Sequence, residues 1–269
     1  MEKQLKYKDI NVNYRICGEG EFVFLIHGFC EDQSMWGELV EKLSTQYTVV
    51  TPDLPGFGKS SLSQEDLTII WMAEMMNAIM NTEKIEKCTM MGHSLGGYVS
   101  IHFAELFPHK VHALGFINSH VFEDGEEKKM NRKKSIDFIK RHTAKLFIRE
   151  LINNLFSETF KLEQKELVLS LISNAQQNIS DQAVIASLNA MAGRANKKNV
   201  LKKFNKPVLF LIGEIDATIP IEQSMQQVSL PSQSDIHIRK HIAHMSIYED
   251  SMYSTNAILA FLERNRQFI

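Results

Sequence analysis

Along this chain, unbroken apolar runs alternate with stretches in which apolar residues return every three or four positions. Residues 22–26 are a run of the first kind, as expected of a strand covered on both faces, and 206–212 predict another buried strand. Residues 47–51, 88–91 and 111–117 predict three more strands, and 236–238 a last short one. Between them the period lengthens to that of a helix. Residues 34–43 place Met35, Trp36, Leu39, Val40 and Leu43 on one side, with Ser34 as the expected N-cap. Residues 67–80, 98–107 and 251–264 predict three further helices. In the first of these, Met72, Met75, Met76 and Met80 read as core filler. Residues 5–10 and 12–16 predict an antiparallel edge hairpin that turns near Asp9 and Asn11.

From Val121 the strand-like runs stop, and helical periodicity holds to about Gly193. Phe147, Leu151 and Leu155 recur at spacing four, as do Ile148, Ile152 and Phe156. Leu167, Val168, Leu171 and Ile172 form a second apolar face, and Val184, Leu188 and Met191 a third. Residues 123–142 are rich in charge: Lys128, Lys129, Arg132, Lys133 and Lys134 are partly offset by Glu126 and Glu127. Such a run is expected to be a solvated helix face rather than a site for an acidic partner.

The apolar run 88–91 leads into Gly92-His93-Ser94-Leu95-Gly96-Gly97, and a helix-like segment follows. Strand, G-x-S-x-G and helix in that order describe a nucleophile elbow. A serine forced into so sharp a turn projects its Oγ clear of its neighbours. Glycines flank it because a Cβ there would meet the crossing backbone. The Leu95 N–H then stands at a helix N-terminus, directed where an oxyanion would form.

Composition narrows the class. With 269 residues, 44% hydrophobic and 23% charged, the chain has the make-up of a soluble globular protein. A net charge of −2 gives no general pull toward nucleic acid or an anionic membrane. No apolar run approaches the roughly 18 residues of a membrane span, and the first residues lack a signal-peptide core. Cys17, Cys30 and Cys88 have no metal-like spacing, and their odd number argues against a disulfide framework. A cytoplasmic location follows as the expectation. The loop Asp53-Leu54-Pro55-Gly56-Phe57-Gly58-Lys59-Ser60 has no complete phosphate-loop pattern.

Together with the elbow, His27-Gly28-Phe29, the loop at Asp53, Gly213-Glu214-Ile215-Asp216 and Ala243-His244-Met245 resemble, in this order, the α/β-hydrolase superfamily. The likeness runs from about Phe22 to the C-terminus. It implies a mostly parallel central sheet flanked by helices, with a helical cap inserted after the sixth strand. The core is then residues 1–120 and 200–269 and the cap residues 121–199. The superfamily order of serine, acid and histidine falls on Ser94, Asp216 and His244. The residue after the first His-Gly, here Phe29, is implied to supply the second oxyanion N–H beside that of Leu95. His27 is expected to be a structural hydrogen-bonding residue.

Rivals to this assignment exist in the sequence. Glu214 is a second carboxylate beside Asp216, and His241 a second imidazole beside His244; the superfamily positions favour Asp216 and His244. Ala243 departs from the glycine common there. His237 lies inside a strand, and His93 is too close to Ser94 along the backbone to act as its base. The implied activity is cleavage of an ester or related acyl bond of a small molecule, through an acyl-enzyme and without metal or organic cofactor. C–C bond hydrolysis, cofactor-free lyase or haloperoxidase-like chemistry, and a hydrolase-like receptor for a small ligand remain open, because this fold hosts many functions.

Overall fold

A computed structural model describes residues 1–64 and 66–266, so Glu65 and the last three residues of the expected core lie outside the described residues. The hairpin β1 (Glu2–Tyr7) and β2 (Ile10–Cys17) pairs antiparallel, and β2 pairs antiparallel with β4 (Tyr47–Pro52). From there every pair is parallel, through β3 (Glu21–Ile26), β5 (Cys88–His93), β6 (Val111–Ile117), β7 (Val208–Gly213) and β8 (Ser234–Arg239). The order across the sheet is β1-β2-β4-β3-β5-β6-β7-β8. The chain therefore leaves β3 on one side for β4 and recrosses it to reach β5. Such a reversal opens a crevice at the carboxyl ends of the strands, where ligands bind in open α/β sheets.

β4 to β7 are buried along their whole length, polar Thr48, Thr51, Thr89 and His112 included, whereas β1 and β8 alternate as edge strands do. The hairpin turns at Lys8 and Asp9, slightly earlier than the sequence places it, with Lys8 taking a positive φ of 49°.

Residues 33–36 form a 3₁₀ turn ahead of α1 (Gly37–Leu43). Its cap is Asp32 and not Ser34: the carboxylate accepts the Ser34 N–H at 2.8 Å, so Ser34 is a donor here. α2 (Ile69–Thr82) starts at Thr68, whose hydroxyl accepts the Trp71 N–H, and buries all four of its methionines. α3 (Leu95–Leu106) follows β5 directly and is buried from Leu95 to Ala104. One face of the sheet packs on α2 and α3, and the other on α1 and the C-terminal helix (Ser251–Asn265).

Between β6 and β7 lie α4 (Glu126–His142), α5 (Ala144–Leu155), α6 (Glu158–Glu163), α7 (Lys165–Asn178), α8 (Asp181–Ala192) and α9 (Lys198–Lys203). α5 packs on α7 and α4 on α8. Most of the apolar faces read from the sequence are packed, with Ile148, Ile152, Val168, Ile172, Val184 and Leu188 buried. Leu167, read as part of the second face, is exposed because it lies beside that face on α7 and meets solvent. Arg194 ties the two ends of this segment together. Its guanidinium bonds the Phe122 carbonyl at 3.0 Å, the Met191 carbonyl at 2.7 Å and the Asp124 carboxylate at 2.8 Å.

Candidate active site

Ser94 stands between β5 and α3 with φ 49° and ψ −112°. A non-glycine residue in this region costs on the order of 1–3 kcal/mol and persists only where its surroundings over-determine it. Here they do: the Ser94 N–H donates to the Ile117 carbonyl at 3.0 Å and the Ser119 hydroxyl to the Ser94 carbonyl at 2.7 Å. The flanking glycines are demanded by contact. A Cβ on Gly92 would lie 2.0 Å from the Gly96 carbonyl carbon, and one on Gly96 2.1 Å from the Ile26 carbonyl oxygen.

His244 and Asp216 meet across the ends of two loops, with Nδ1 and Oδ2 2.7 Å apart. Asp216 follows β7. Its Oδ1 accepts the N–H groups of Thr218 and Ile219, each at 2.9 Å, and the Asn118 amide donates to its Oδ2 at 3.3 Å. Burial alone would raise the pKa of this carboxyl. The facing His244 and these donors outweigh it and hold the pKa below the usual range. An ionised Asp216 only accepts, so the network assigns the His244 proton to Nδ1 and leaves Nε2 free. The His244 N–H is in turn held by the Leu155 carbonyl of α5 at 3.0 Å.

Ser94, His244 and Phe29 line one cavity of about 330 Å³. Tyr98 of α3 and Thr218 of the Asp216 loop add to its core side, and Lys128, Arg132, Phe147, Leu151 and Leu188 of α4, α5 and α8 form the opposite wall. Leu95 is buried at the start of α3. Among the described residues, the Phe29 and Leu95 N–H groups carry no internal hydrogen bond. Among the described residues, no group of three or more His, Cys, Asp or Glu side chains could hold a metal ion. No helix among them is long and apolar enough to cross a membrane.

The rivals fall elsewhere. His241 is exposed, and its N–H lies 3.4 Å from the Glu214 carboxylate, away from the cavity. His237 bonds the Tyr253 hydroxyl at 2.8 Å. His27 accepts the Leu54 N–H at 2.9 Å. In the Asp53 loop the carboxylate accepts the Gln33 and Lys59 N–H groups, which are therefore not free for a phosphate.

Three features of the site were not legible in the sequence. His93 bonds the His244 carbonyl through Nε2 and the Glu31 carboxylate through Nδ1, each at 3.0 Å, and Glu31 also accepts the Gly28 N–H at 2.6 Å. Burial opposes charge on His93, but Glu31 and the His244 carbonyl prevail and raise its pKa. This buried pair props the Gly28 loop and the His244 loop together. Asn118 is the second: it bridges Asp216, the Ala243 carbonyl at 3.0 Å and the Ser246 hydroxyl. The third corrects an expectation. Lys128 and Arg132 do not belong to a solvated face but line the cavity.

The profile of the α/β-hydrolase fold family matches residues 21–251. The chain belongs to that family. A thermophilic esterase from Thermogutta terrifontis, solved with malate bound, superposes with a TM-score of 0.90 at 26% identity, over 98% of this chain and 99% of that one. The 2-hydroxy-6-oxo-6-(2'-aminophenyl)hexa-2,4-dienoic acid hydrolase of Metapseudomonas resinovorans is 23% identical over 98% of this chain and 91% of its own. The pimeloyl-[acyl-carrier protein] methyl ester esterase of Vibrio parahaemolyticus is 26% identical over 79% and 82%. An uncharacterised protein of Mycobacterium tuberculosis is 36% identical over 106 residues, which are 39% of this chain and only 31% of that one. The relatives named for an activity are esterases and a hydrolase.

Proposed function

We propose that this α/β hydrolase cleaves a carboxylic ester of a small molecule through a Ser94–His244–Asp216 triad, in the cytoplasm. The observation that carries the reading is the buried His244–Asp216 bond of 2.7 Å beside a cavity that Ser94 shares. It leaves one imidazole nitrogen unprotonated and available to a serine whose backbone is held in a strained turn. Ser94 Oγ attacks the ester carbonyl carbon and yields its proton to His244 Nε2. The Phe29 and Leu95 N–H groups receive the developing oxyanion, each such donor being worth roughly 3 kcal/mol. His244 then protonates the departing alcohol. A water activated by the same nitrogen hydrolyses the acyl-enzyme, restoring Ser94. Residues 121–199 act as a cap that roofs the pocket, a role supported by the lining residues from α4, α5 and α8.

The esterase relatives support this substrate class. The likeness to the hexadienoic acid hydrolase over nearly the full length of both chains favours one second reading, C–C bond hydrolysis of an oxo-dienoic acid by the same residues. Steady-state assays of a short-chain p-nitrophenyl ester and of a 2-hydroxy-6-oxo-dienoic acid separate the two. Ester turnover is expected, with Ser94→Ala lowering kcat by roughly 10⁴- to 10⁶-fold in a folded protein. Wild-type turnover by Ser94→Ala would refute both readings, and turnover of the dienoic acid alone would replace the first by the second.

A further inference from the structure

The wall opposite Ser94 holds more positive than negative charge. Lys128 lines the cavity, and among the described residues its Nζ donates only to a backbone carbonyl, that of Thr218, at 3.2 Å. Among the described residues no carboxylate forms an ion pair with it. Arg132, one turn along α4, also lines the cavity, and shares the Asp124 carboxylate with Arg194. One acid thus serves two guanidiniums. Arg194 is 1% exposed, and each of its three guanidinium nitrogens donates to a protein acceptor, Phe122, Met191 or Asp124. Burial, aided by Arg194, pushes His120 well below its usual pKa, so it adds no compensating charge of either sign. The other acids near the cavity have partners of their own, Glu31 with His93 and Asp216 with His244.

We propose that Lys128, flanked by Arg132, is a carboxylate-binding subsite, and that the preferred substrates are esters which carry a free carboxylate away from the scissile bond. This rests on the Ser94 reading above and names the substrate class of the same site. A half-buried ammonium without a counter-ion is costly, and burial together with Arg132 brings its pKa down to about 8. An anion seated against it removes that cost and makes a charge-assisted hydrogen bond. Because Lys128 and Ser94 share one cavity of about 330 Å³, the anion and the reacting carbonyl must belong to one compact molecule. A single free ammonium matches a monoanion; a phosphate dianion would ask for donors that Asp124 already occupies.

The test pairs monomethyl esters of succinic, glutaric and adipic acids with the uncharged methyl alkanoates of equal length, measured as kcat/KM by methanol release. Wild-type protein is expected to favour the charged member of at least one pair by about tenfold or more. In Lys128→Met that ratio is expected to fall by a similar factor, and in Lys128→Arg to survive. Calorimetric titration of Ser94→Ala with succinate gives a readout without turnover: binding should weaken about tenfold when Lys128→Met is added. A ratio that Lys128→Met leaves unchanged would make Lys128 a structural clasp between α4 and Thr218 and overturn the proposal. Tighter binding of inorganic phosphate than of succinate, at matched ionic strength, would overturn the carboxylate assignment. Should no ester turn over, the Ser94 reading fails by itself; the subsite then stands if succinate binding still depends on Lys128, and falls if it does not.

Discussion

Replacing Asp216 by asparagine exchanges one oxygen for an NH₂ and changes almost no volume, so its effect reports charge and hydrogen bonding alone. The structure dictates how the new side chain sits. Asp216 Oδ1 accepts two backbone N–H groups, from Thr218 and Ile219, at 2.9 Å each. Asparagine keeps both bonds only with its carbonyl oxygen there. Its NH₂ then occupies the Oδ2 place, facing His244 Nδ1 at 2.7 Å and the Asn118 amide at 3.3 Å. Two donors cannot face each other at that distance, so His244 must give up its Nδ1 proton and carry it on Nε2. Imidazole in that tautomer cannot take the Ser94 proton. The opposite rotamer strands the buried Ile219 N–H, at roughly 1–3 kcal/mol, and the half-buried Thr218 N–H, and is disfavoured. The expected loss in kcat is about 10⁴-fold, or about 5 kcal/mol of transition-state stabilisation. Steady-state kinetics on the best ester measure it, with circular dichroism to establish folding. A low-field proton resonance from His244 Nδ1 should be present in wild type and absent in Asp216→Asn. Glu214→Gln, outside the cavity, should change kcat only a few-fold. A loss below tenfold in Asp216→Asn, or persistence of the Nδ1 resonance, would refute the tautomer argument.

Two further outcomes follow from the segment between β6 and β7. Burial would raise the pKa of Asp124, but Arg132 and Arg194 outweigh it and bring it from 3.8 to about 2. A depressed carboxyl pKa stabilises fully above its unfolded value and loses that contribution as pH falls from 3.8 through 2, here about 2 kcal/mol. Urea midpoints taken from pH 5 to pH 2 should therefore fall more steeply for wild type than for Asp124→Asn, and parallel slopes would contradict the assignment. If residues 121–199 act as the roof of the pocket, Leu151→Ala should shift ester preference toward longer acyl chains; an unaltered chain-length profile would remove the cap role.

How far the sequence carried differs from residue to residue. Gly92, Ser94 and Gly96 were legible because a sharp strand-to-helix turn imposes its demands on adjacent residues, and the crossing of Ile26 and Gly96 backbones is the contact those glycines allow. The buried strands were legible because apolar residues on both faces leave no alternation to misread. Ser34 is not the cap that the local pattern predicts, because Asp32, two residues earlier, competes for the same turn with a charged acceptor.

The charged run from Glu123 onward shows where local reading ends. Helical period and composition say that α4 forms and that one face is polar; they do not say what that face meets. Lys129 pairs with Glu126 on the surface, as a solvated face would, while Lys128, its neighbour, points to the cavity. A step of one residue on a helix turns the side chain by about 100°, and only the placement of α4 over Ser94 converts that turn into a difference of role.

The strands, the helical insertion and the elbow were determined by the sequence alone, because each depends on residues within one turn or one strand of each other. The company these elements keep was decided by the tertiary structure. Glu31, His93 and His244 come from three separate segments, as do Asn118, Asp216 and Ser246. Each group is buried, so its polar atoms must find partners inside the fold. Which partners they find depends on the strand order that sets the ends of β3, β5, β6 and β7 side by side, a long-range arrangement that no local pattern encodes.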